Sequence, residues 1–164
     1  MAVIVINEAT ALASEHINTV SVALKDVLTQ NLGVLKAGSS VVAEIIVGSA
    51  TRTPKFPAIF IVHLRTADEV SSSRQRTLQM RFRIYCYERS SKDEATLATN
   101  VQQLADRIKA TLYYNRHRQP DSLWADLFVE DTMIPESSFL DGGTGFIRGA
   151  QLEVRIPYLV AHPQ

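Results

Sequence analysis

The sequence predicts an α+β domain: an antiparallel sheet of four to five strands with two helices packed on one face. Three observations lead there. Residues 77–87 alternate, with Leu78, Met80, Phe82, Ile84 and Cys86 apolar and Thr77, Gln79, Arg81 and Arg83 polar. That period of two belongs to a strand with one buried side. Residues 146–158 repeat it, setting Phe146, Ala150, Leu152, Val154, Ile156 and Tyr158 against Gln151, Glu153 and Arg155, with Arg148 an exception on the apolar side. Two further segments carry apolar side chains every three or four residues, and such stripes must be buried on a sheet face.

The first helix is expected over residues 8–32, where Ala13, Ile17, Val20, Leu24, Val27 and Leu28 form the stripe. Asn7 or Thr10 suits its start, and Gly33 a left-handed stop. Residues 35–40 read as a turn and the β-branched run 41–47 as a strand. A polar loop follows to Phe56. Pro57 then opens a strand over 58–65, apolar on both sides (Ile59, Phe60, Ile61, Val62) and therefore expected to be covered on both faces. Residues 66–76 have no apolar period and read as a long loop into the strand 77–87. Ser91 and Glu94 fit a capping box for the second helix, whose stripe is Leu97, Val101, Leu104, Ile108 and Leu112. A strand is expected within 123–134, and residues 135–145, rich in Ser, Gly and Asp, read as a second long loop.

A chain of 164 residues suits one domain spanning 1–164. Its apolar runs fall far short of the roughly 20 residues of a membrane helix. The N-terminus lacks the basic and apolar regions of a signal peptide, which fits synthesis inside a cell. Net charge is zero but uneven: residues 65–118 hold eleven Lys/Arg and six Asp/Glu, and residues 119–164 hold two and seven. The simpler reading sets these segments side by side in one sheet. The sharper one has opposite charges guide one subunit onto the next. A nucleic-acid binder is expected to carry a net basic domain, and this chain does not.

The residues that carry chemistry are scattered. Cys86, the one cysteine, sits on the apolar side of its strand and reads as a small buried hydrophobe rather than a nucleophile. His16, His63, His117 and His162 lack metal spacing. Asp141-Gly142-Gly143-Thr144-Gly145 is the one glycine cluster, but it lacks the Gly-Lys-Ser/Thr of a phosphate loop and leads into a strand. Tyr113-Tyr114 beside Arg116 and Arg118 reads as a helix-end anchor before a solvated loop. No catalytic, metal or cofactor residues are expected, and no enzymatic activity. A cleft-using small enzyme or ligand-binding domain, with Cys86 paired to His63, is the alternative from another class.

Taken in order, the elements resemble the tail terminator (tail-completion) proteins of long-tailed bacteriophages. The likeness lies in the helix at 8–32, the strand opening Phe56-Pro57-Ala58-Ile59-Phe60-Ile61 and the return Gln79-Met80-Arg81-Phe82-Arg83-Ile84-Tyr85. The helix from Asp93 to Leu112 and the strand Gly149 to Tyr158 complete it. The resemblance implies a virion protein, made in the host cytoplasm, that forms a hexameric ring on the tail tube, ends tube polymerisation and docks to the neck or head–tail connector. DNA would only pass through the lumen. Another neck, head-closure or tail tube protein is the nearest alternative. Within this reading the two long loops make the contacts, through Asp68, Glu69, Arg74 and Arg76 in one and Phe139 and Asp141 in the other.

Overall fold

The computed structural model describes residues 13–48, 54–72, 75–90, 93–115, 128–133, 138–140 and 146–161. Along them run α1 (Ala13–Gln30), β1 (Lys36–Ala37), β2 (Ser40–Val41), β3 (Glu44–Val47), β4 (Ala58–Ser72) and β5 (Gln75–Ser90). Then come α2 (Glu94–Tyr114), β6 (Phe128–Met133), β7 (Ser138–Leu140) and β8 (Phe146–Ala161). The main sheet is ordered β3-β4-β5-β8-β6, and β7 also pairs with β8. The fold is α+β, with both helices packed on the sheet.

β5 lies at the centre, and its alternation decides the architecture. Leu78, Met80, Phe82, Ile84 and Cys86 are fully buried. They form one core with Ile59 and Ile61 of β4, Ala150, Leu152, Val154 and Ile156 of β8, and the apolar stripes of both helices. The stripe of α1 is Val20, Leu24, Val27 and Leu28, and that of α2 runs from Leu97 to Leu112. Both helices therefore cover the even-numbered side of β5.

Three readings of the sheet are corrected. The sheet is mixed, because β3 pairs parallel to β4 (Glu44 beside Ala58 through Val47 beside Ile61) while the other pairs are antiparallel. Residues 66–76 are not a long loop: β4 continues to Ser72 and β5 begins at Gln75. A bulge between His63 and Arg65 resets the register, after which Thr66 pairs with Met80 and Glu69 with Thr77. Backbone bonds to β5 hold this polar stretch in a strand, so it needs no apolar period. Within 135–145, residues Ser138–Leu140 form β7; the rest of that expected loop lies outside the described residues.

The helix ends differ too. α1 stops with the Asn31 amide donating to the Val27 carbonyl at 2.7 Å, and Gly33 is not left-handed; Gly38 and Gly48 are. The cap of α2 is Asp93, whose carboxylate accepts from the Ala95 N–H at 3.0 Å and from the Thr96 hydroxyl. Those bonds hold its carboxyl below the usual range, the Thr96 bond foremost. Asp caps as well as Ser, so the position next to the helix wins over Ser91, which is outside the described residues. Arg107 of α2 donates to the carbonyls of Lys36 (2.7 Å) and Gly38 (3.3 Å), tying the β1–β2 hairpin to the helix.

Phe82 stands in the middle of this core at 0% exposure. Phe82→Ala is expected to lower unfolding free energy by about 3–5 kcal/mol, measured by urea denaturation; a loss under about 1 kcal/mol would contradict the central place given to β5.

Candidate functional site

The candidate contact residues fall at two ends of the sheet. At one end Asp68 pairs in register with Leu78, Glu69 with Thr77, and Arg76 with Val70 and Val160. At the other end Phe139 of β7 pairs with Ile147, itself beside Arg89. From Arg76 to Arg89 along β5 is roughly 40 Å at the rise of an antiparallel strand. The structure thus gathers Asp68, Glu69 and Arg76 and separates them from Phe139. Arg74 and Asp141 lie outside the described residues, as do His117, His162, Arg116 and Arg118.

Sequence reading missed a third place, the side of the sheet turned away from the helices. Across β4, β5 and β8 its rows read Ala58–Tyr87–Gly149, Phe60–Tyr85–Gln151, Val62–Arg83–Glu153 and Arg65–Arg81–Arg155. Arg83 and Glu153 form an ion pair at 2.5 Å, with side chains 29% and 28% exposed. The Glu153 contact, then Tyr85, pushes the Arg83 pKa up. Tyr85 and Tyr87 lie nearly parallel, 11° apart with centroids 6.2 Å apart, and Phe60 meets Tyr87 edge-on. The Tyr87 ring occupies the space above Gly149, where a Cβ would come within 2.5 Å of it. Arg89 stands 5.8 Å over the Phe56 ring. The odd-numbered arginines of β5 signal this face in the sequence. Arg65 joins their row only through the bulge, which the sequence does not announce.

The titratable groups inside the sheet are held for packing. Cys86 is buried, its thiol 3.8 Å from the Ala150 carbonyl, and burial pushes its pKa up to about 12. His63 is half-buried, lies edge-on to Phe82 and shares a 2.7 Å hydrogen bond with the Thr66 hydroxyl. Desolvation lowers its pKa. Cys86 pairs with Ile59 and Phe82 with His63, so Cys86 and His63 stand four places apart on the sheet, roughly 13 Å. A Cys–His couple is not formed. Among the described residues no three His, Cys, Asp or Glu gather as metal ligands, and no helix is long and apolar enough to cross a membrane.

Glu88, only 8% exposed, sits opposite Arg148 in register and accepts the Arg89 N–H at 2.8 Å. Burial raises its pKa above the ordinary 4.5. The folded chain then holds this proton to higher pH than the unfolded chain. Stability from this group is full below pH 4.5 and is lost as pH rises through the raised value. Glu88→Gln is expected to remove that fall, so its urea midpoint should gain on the wild type between pH 4 and pH 7. A constant difference across that range would contradict burial as the cause. For Arg83 and Glu153, a double-mutant cycle to alanine is expected to give a coupling of about 0.5–1 kcal/mol that shrinks with added salt; zero coupling at low salt would contradict the pairing.

No protein-family model and no curated protein sequence matches the chain.

Proposed function

We propose that this chain is a structural subunit that closes into a ring and serves as a joint in a virion, as a tail terminator of a long-tailed bacteriophage does. In this reading six copies cap the tail tube, end its polymerisation and dock to the neck or head–tail connector, and DNA passes through the lumen. The protein then resides in the tail or neck of the particle, after synthesis in the host cytoplasm. One observation carries the reading. The described contact residues stand at opposite ends of the β5–β8 pair, with Asp68, Glu69 and Arg76 at one end and Phe139 at the other. A subunit that touches one assembly below and another above needs two such ends. The element order supports it as well. A helix, a strand opening at Pro57, a long hairpin, a second helix and a last long strand follow in the sequence on which the resemblance rests.

Charges at the hairpin end suit head-to-tail contacts, which close into rings when the rotation between copies is right. Such contacts leave the helix-covered core untouched, so a subunit can fold before it assembles. The purified chain is expected to elute as a ring of about six copies by light scattering, with a central hole in negative-stain images. Reversing charge at the hairpin end (Asp68→Lys, Glu69→Lys and Arg76→Glu together) should leave a folded chain that no longer assembles or no longer caps tubes. A monomer at high concentration that also fails to bind tail tubes would overturn the proposal.

A further inference from the structure

We draw no further inference here: the strongest candidate, the outer edge of β4 from Val62 to Ser72, which pairs with no strand among the described residues, carries nothing because nothing in the structure shows what covers it.

Discussion

Every inner position of β5 is held between two neighbours, as Arg83 is between Val62 and Glu153, and Ile84 between Ile61 and Leu152. Side chains alternate along a strand, so a slip of one place would exchange its two faces completely. Leu78, Met80, Phe82, Ile84 and Cys86 would turn to water, and Gln79, Arg81 and Arg83 would turn under the helices. At about 1.5–3 kcal/mol for each large apolar side chain, the loss is on the order of 10 kcal/mol, comparable with the whole net stability of a domain. The register is thereby fixed, and everything else is placed against it.

A division of labour follows from this one constraint. The even-numbered side is spent on the core, where α1 and α2 lay down their stripes and Cys86 is an inert part of the packing. What remains for partners is the odd-numbered side and the two ends of the long strands. Neither is needed to hold the helices, so both are free to vary in charge. The odd-numbered side has packing of its own, since Tyr87 meets the buried Phe60 edge-on and lies over Gly149.

The parts legible in the sequence are those governed by periodicity. The alternation of β5 and β8 and the stripe of α2 follow from which residues are apolar; charge alone sets Glu153 opposite Arg81 or Arg83, and the register settles on Arg83. The parts that were not legible depend on partners distant in the chain. The polar residues 66–72 form a strand because β5 supplies their hydrogen bonds, and their own composition favours a turn. The parallel pairing of β3 with β4 is a choice of neighbour and direction that local composition does not state. Asp93 in place of Ser91 at the cap is a shift of two residues between equally capable cap types. Asp68, Glu69 and Arg76, expected in a loop, lie in β4 and β5 because the hairpin is longer than its polar sequence implies, and Phe139, expected in the other loop, lies in β7.

The most direct measurement is an aspartate scan along residues 77–87, with the unfolding free energy of each variant read by urea denaturation. The expected result is a period of two: Leu78, Met80, Phe82, Ile84 and Cys86 lose the fold, while Gln79, Arg81 and Arg83 keep it. Stability losses of equal size at odd and even positions would contradict the register of β5 as the constraint on which the fold depends.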